Sequence, residues 1–176
     1  KGRAKVSKKS NPAVVSIISE RDIEVKWIRA EDIEREGPSQ FLSEMSGIVV
    51  PGGFGPRGVQ GMIDTVTYAR CNGVPYLGLC LGMQVMVIEA ARALLGKKEA
   101  NSTEFDPNTP DPVIDVMPDQ KNITQMGGTM RLGVYPCHMV DDTWASRAYG
   151  KLLTYERHRH RFEFNNAFRK ELESVG

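Results

Sequence analysis

The sequence predicts an α/β fold built on a mostly parallel sheet covered by helices. Two observations carry that expectation. The short apolar runs "GIVVPGG" and "VPYLGL", bounded by glycine and proline, read as buried strands. The longer stretches "GVQGMIDTVTYAR" and "LGMQVMVIEAARALLG" read as helices. The resulting order of strand, helix, strand, turn and helix calls for parallel pairing with right-handed crossovers.

Each element has a local reason. Residues 1–11 open with "KGRAKVSKKS" and are expected to be a flexible basic arm. At "NPAVVSII", Asn11 can cap a helix and Pro12 can occupy its first turn. Ile23, Val25 and Trp27 alternate with charged residues, so "IEVKWI" reads as a half-exposed strand. Ile48–Val50 form a buried strand stopped by Pro51 and two glycines. Met62, Ile63 and Val66 share one face of the next helix, which Asn72 and Gly73 can end in a left-handed cap. The first two turns after Cys80 carry no charge and are expected to be buried; Gly96 stops that helix. "NSTEFDPNTPDP" is rich in turn formers and reads as a loop. "QMGGTMRLG" reads as a bend entering a strand. "ERHRHRFEF" alternates strictly, which puts Arg157, Arg159 and Arg161 on one face of a strand. His158, His160, Phe162 and Phe164 take the other face.

Composition narrows the function. The 176 residues suit one domain with a real core, assigned here to residues 12–176. A formal net charge of +1 supplies no field for nucleic acid, and no apolar run is long enough for a bilayer. No charged-then-apolar leader resembles a signal peptide. Neither a nucleic-acid nor a membrane partner is expected. Three cysteines without paired spacing favour a reducing compartment, hence a cytoplasmic location. With no CxxC and no HExxH, no metal site is expected.

The chemistry centres on "GLCLGMQ", Gly78 to Gln84. A cysteine between two glycines, after a buried strand and before a helix, is the sulfur form of a nucleophile elbow. The turn is so tight that Gly78 and Gly82 must keep the space clear. Cys80 then projects above the strand ends, where doubly wound sheets place ligands. The helix N-terminus behind it favours thiolate over thiol. A buried structural cysteine is the plain alternative, and the two glycines tip the balance toward a nucleophile. Cys71 and Cys137 lack that setting. "PGGFG" follows the neighbouring strand, so the Gly53 N–H can face the site. With the Leu81 N–H it would form an oxyanion hole.

"PGGFG" followed by "GLCLGMQ" resembles the class I, triad-type glutamine amidotransferases. "ANSTEFDP", "MGGTMRLG" and "ERHRHRFEFN" sharpen this to the glutaminase domain of the CTP synthase family, over about Ile23 to Phe168. The resemblance implies a three-layer, flavodoxin-like arrangement. It implies that Cys80 forms a γ-glutamyl thioester, with Gly53 and Leu81 donating to the oxyanion. Glu104 and Arg161 would hold glutamine, while Gln84 and the Leu81, Gly82 and Met83 backbone line the pocket. One anion and one cation suit a free amino acid, and an arginine fork suits its carboxylate. The domain itself would need no cofactor. In the family, an N-terminal synthase domain uses ATP and Mg²⁺ to aminate UTP, GTP activates, and the enzyme is a homotetramer.

The triad also needs a histidine base and an orienting carboxylate. The family takes both from an "HPE" motif downstream of "RHRHR", and these 176 residues contain no such motif. The family's opening apolar strand and "GKY"-like turn are replaced by the basic arm. The expectation is therefore a piece truncated at both ends, with weak glutaminase activity at best. Two other readings are a related cysteine γ-glutamyl hydrolase and a catalytically dead domain that only binds.

Overall fold

The computed structural model describes residues 24–116 and 131–176. The basic arm, the expected helix at "NPAVVSII", Ile23 and the bend before Arg131 lie outside the described residues. Two compact units are present. One comprises the chain through Asp115 together with Phe164–Gly176, and the other is Val116–Glu163.

The first unit follows the expected order. After helices α1 (Ala30–Glu36) and α2 (Ser39–Leu42) come strand β1 (Ile48–Val50) and helix α3 (Val59–Asn72). Strand β2 (Tyr76–Gly78) and helix α4 (Leu81–Leu94) complete the motif. β1 and β2 pair in parallel, with Ile48 opposite Tyr76 and Val50 opposite Gly78. A parallel pair requires a crossover on one face, and α3 supplies it. Two short strands, β3 (Asn101–Ser102) and β4 (Pro112–Val116), pair in parallel across the "NSTEFDPNTPDP" turns.

The core follows from helical spacing. α3 buries Val59, Met62, Ile63, Val66 and Ala69, a stripe at three- and four-residue intervals. α4 buries Leu81, Val85, Ile88 and Ala91, and all three residues of β1 are buried. Each fully buried aliphatic side chain contributes about 1.5–3 kcal/mol. Gly61 lets α3 approach α1, because a Cβ there would lie 2.0 Å from the Ala30 carbonyl oxygen. The Gly73 cap is left-handed as expected, with φ 65°.

Three expectations need correction. The described part of "IEVKWI", residues 24–28, does not form a strand; only Ile28 makes a single bridge, and Val25 and Trp27 are exposed. Alternation specifies a strand only where a neighbour offers an edge, and residues 24–27 find none among the described residues. β2 is only half-buried on one side, at Tyr76 and Gly78, and open on the other, where Leu77 is 51% exposed and the following Leu79 48%. The uncharged first turns of α4 are likewise one-faced: Gln84 and Val85 are buried, whereas Met86 is exposed. Lack of charge thus marked a helix with one open apolar face.

Burial also reaches a charge that periodicity would have placed in solvent. Glu89 is 3% exposed on α4 and takes the Arg70 guanidinium from α3, with Nη2 to Oε1 at 2.8 Å and Nε to Oε1 at 3.0 Å. Thr67 Oγ1 donates to the same oxygen at 3.2 Å. The hydrogen bond to Glu89 raises the Arg70 pKa above its ordinary value. Arg70→Met keeps much of the stem volume but strands the carboxylate. It is expected to destabilise the domain by about 2–3 kcal/mol in urea unfolding.

The second unit holds an antiparallel pair, β5 (Arg131–His138) and β6 (Leu153–His160), with helix α5 (Trp144–Tyr149) between them. Thr143 and Ser146 form a reciprocal capping box at the start of α5. The chain then bends at Arg161 and returns through β7 (Phe162–Phe164) to a 3₁₀ turn at Asn166–Phe168 and helix α6 (Arg169–Glu173).

Candidate active site

The parallel register of β1 and β2 fixes the site. Val50 and Gly78 are partners, and the Leu79 N–H carries the ladder one step further, to Val50 O at 2.9 Å. Both strands therefore end at the same level. The "PGGFG" loop leaves one and Cys80 follows the other.

Cys80 has φ 53° and ψ −108°. Only one other non-glycine residue among those described, Asp142, has positive φ. An L-residue held there stores about 1–3 kcal/mol of strain, sustained by its surroundings. Those surroundings are backbone. A Cβ on Gly78 would lie 2.5 Å from the Gly82 carbonyl carbon and oxygen, and 2.6 Å from the Met83 nitrogen. A Cβ on Gly82 would lie 2.1 Å from Val50 O. Both glycines are needed for the reason expected of them. Tyr76 adds a tie that the sequence did not reveal: its hydroxyl donates to Gly82 O at 2.8 Å. Burial pushes the pKa of that hydroxyl well above its ordinary value.

The glycine loop runs beside the elbow. A Cβ on Gly53 would meet Leu81 Cδ2 at 3.1 Å, and one on Gly52 would meet Cys80 Cβ at 3.2 Å and Sγ at 3.7 Å. Gly52, which sequence reasoning passed over for its neighbour, is thus the glycine facing the thiol. Nothing in the doublet itself distinguishes the two. The N–H groups of Gly82, Met83 and Gln84 are committed to the Leu79 and Cys80 carbonyls. Those of Gly53 and Leu81 donate to no backbone acceptor among the described residues. Of the amides named from the sequence, these two remain available to a developing oxyanion. The Gln84 side chain is buried.

Glu104 meets the same loop. Its Oε1 accepts the Gly55 N–H at 2.8 Å, and its own N–H donates to Ser102 Oγ at 3.1 Å. The carboxylate therefore holds the glycine loop, a role that no local sequence signal announces. Arg161 lies in the second unit, at the bend between β6 and β7. The expected alternation stops just before it. Arg157 and Arg159 are exposed, whereas Arg161 is half-buried and set apart from them. The three histidines also lie in that unit, His138 on β5 and His158 and His160 on β6. Burial, together with nearby Arg131 and His160, holds the His158 pKa below its ordinary value.

Among the described residues, no helix is long and apolar enough to cross a membrane. All three cysteines are unpaired: Cys71 is exposed, and Cys80 and Cys137 are half-buried.

A cysteine on a strained strand-to-helix turn, beside the Gly53 amide of a glycine loop, has the geometry of a thiol nucleophile elbow. Comparison with known proteins gives the family. The class-I glutamine amidotransferase family matches residues 8–176. The chain belongs to that family. Among its relatives is the CTP synthase of Dehalococcoides mccartyi, 59% identical over 156 residues, which is 89% of this chain and 29% of that protein. The CTP synthase of Chloroflexus aggregans is 61% identical over 155 residues, covering 88% of this chain and 28% of that protein. The chain thus spans less than a third of the length of these curated relatives. The solved structure of a Trypanosoma brucei CTPS glutaminase domain with bound acivicin matches with a TM-score of 0.82 and 36% identity. That match covers 89% of this chain and 61% of the other. The three-layer, flavodoxin-like α/β architecture expected from the motifs is therefore established.

Proposed function

We propose that this chain is the glutamine-hydrolysing part of a CTP synthase, with Cys80 as its nucleophile. The observation that carries the reading is the strained φ of Cys80, held between two glycines that leave no room for a side chain. A buried structural cysteine has no need of such a turn.

The chemistry follows from the geometry. Cys80 gives its proton to a base, and the sulfur attacks the side-chain carboxamide carbon of glutamine. Negative charge collects on the carboxamide oxygen, where the Gly53 and Leu81 N–H groups stabilise it. Each such donor is worth roughly 3–4 kcal/mol of barrier. The C–N bond breaks, the nitrogen leaves as ammonia after taking a proton, and a γ-glutamyl thioester remains on Cys80. Water then cleaves the thioester to glutamate and restores the thiol. The family's base and its orienting carboxylate belong to the "HPE" motif, which is not among these 176 residues. Glutamine in acid-quenched mixtures should leave a γ-glutamyl mass on Cys80, and its absence there would overturn the assignment of the nucleophile.

Glu104 holds the substrate's ammonium, and the peptide around Leu81, Gly82, Met83 and Gln84 lines the pocket. Glu104 thereby does two jobs, since it also holds Gly55. Glu104→Gln keeps an oxygen for the Gly55 N–H and loses the charge. It is expected to weaken glutamine by about 10–100-fold, read as the concentration that protects Cys80 from acivicin. An unchanged protection curve would remove Glu104 from the substrate.

In the whole enzyme the ammonia serves a synthase domain that uses ATP and Mg²⁺ to aminate UTP, in a homotetramer activated by GTP. The glutaminase part needs no cofactor. Three unpaired cysteines fit a reducing, cytoplasmic setting.

A further inference from the structure

We propose that His158, His160 and Glu163 form a binding site for a borderline-soft divalent cation, Zn²⁺. Sequence spacing argued against any metal, because the familiar signatures place ligands on helices or knuckles. A strand offers a different spacing. Residues i and i+2 share a face, so β6 presents His158 and His160 together. Both are half-buried, while Arg157 and Arg159 point to solvent. The bend at Arg161 then brings Glu163 back to them. Donor atoms of all three residues lie within 4.8 Å of one another.

The distances fit an ion. The Nδ1 atoms of His158 and His160 face each other at 3.4 Å. Two nitrogens bound tetrahedrally to Zn²⁺ at about 2.0–2.1 Å stand about 3.3–3.4 Å apart. The rings are nearly perpendicular, at 78°, and the His158 ring also meets Tyr135 edge-on at 5.4 Å. Glu163 is oriented by Arg131, whose Nη1 donates to Oε2 at 2.8 Å. The other oxygen, Oε1, is buried and accepts no hydrogen bond among the described residues. A buried carboxylate oxygen without a donor is costly, and a cation would satisfy it. Arg131 acts as the outer partner that fixes a ligating carboxylate. It also offsets the charge of Glu163, which limits affinity. Two imidazoles and one carboxylate suit Zn²⁺ and disfavour Mg²⁺ and Ca²⁺, which prefer oxygen.

The test is Zn²⁺ titration of the 176-residue chain against a chromophoric chelator, with the thiols alkylated beforehand. X-ray absorption of the bound ion is read alongside. One equivalent should bind with a nitrogen- and oxygen-only shell that contains imidazole, and excess Mg²⁺ should not displace it. His160→Ala and Glu163→Gln should each weaken binding by about ten-fold or more. Zn²⁺ should also raise the melting temperature of the parent chain and not of Glu163→Gln. Absence of binding would overturn the site, leaving a plain His158–His160 hydrogen bond, as would a shell without imidazole. Equal affinity in both variants would overturn it too. If the alanine variant fails to fold, Glu163→Gln and the parent absorption spectrum decide.

Discussion

Gly82→Ala will destabilise the domain by about 3 kcal/mol and abolish labelling of Cys80. The added Cβ would sit 2.1 Å from Val50 O and 2.9 Å from Val50 C. That oxygen cannot yield, because it already accepts the Leu79 N–H, and all of β1 is buried. Relief requires moving α4 away from the sheet, which breaks the elbow. A comparison isolates the cause. Gly96, just past the end of α4, has a positive φ of 70°, unlike Gly82, and faces open space. Gly96→Ala should therefore cost only about 1 kcal/mol, the strain of the left-handed conformation alone, and leave Cys80 reactive. Equal costs at the two positions in urea unfolding would mean that crowding against β1 is not what Gly82 avoids.

The second large effect is at Cys80 itself. Cys80→Ala and Cys80→Gly both remove the sulfur and should reduce glutaminase chemistry to background. Their stabilities should differ. Alanine keeps the strained φ 53°, whereas glycine adopts it freely. Glycine loses about 0.5–1 kcal/mol more chain entropy on folding, against strain of about 1–3 kcal/mol. Cys80→Gly should therefore be the more stable of the two by roughly 1 kcal/mol. That difference measures how much stability the fold gives up to aim a thiol. If glycine proves the less stable variant, the turn holds no strain to release.

The parts of the fold legible in the sequence were those fixed by local chemistry. β1, α3 and α4 announced themselves through apolar spacing and terminating glycines, and their order dictated the parallel pairing. Cys80 was legible for the same reason, because a tight elbow demands glycine two residues to each side. What stayed hidden depends on partners far along the chain. Glu104 reaches the Gly55 amide 49 residues away, and Glu89 is buried only because Arg70 lies across from it. "IEVKWI" shows the converse: its alternation was clear, but a strand needs a neighbour that alternation cannot supply. The half-burial of Arg161 also escaped the pattern, since a bend interrupts the alternation that would have grouped it with Arg157 and Arg159. The His158–His160–Glu163 cluster depends on that same bend.

The central claim is that Cys80, and neither of the other cysteines, is the glutamine nucleophile. Its most direct test is peptide mapping by mass spectrometry after acivicin treatment of the folded 176-residue chain. The account predicts a single adduct on Cys80, suppressed by excess glutamine, with Cys71 and Cys137 unmodified even though Cys71 is the exposed thiol. Modification that follows exposure, with Cys71 labelled first and glutamine giving no protection, would contradict it.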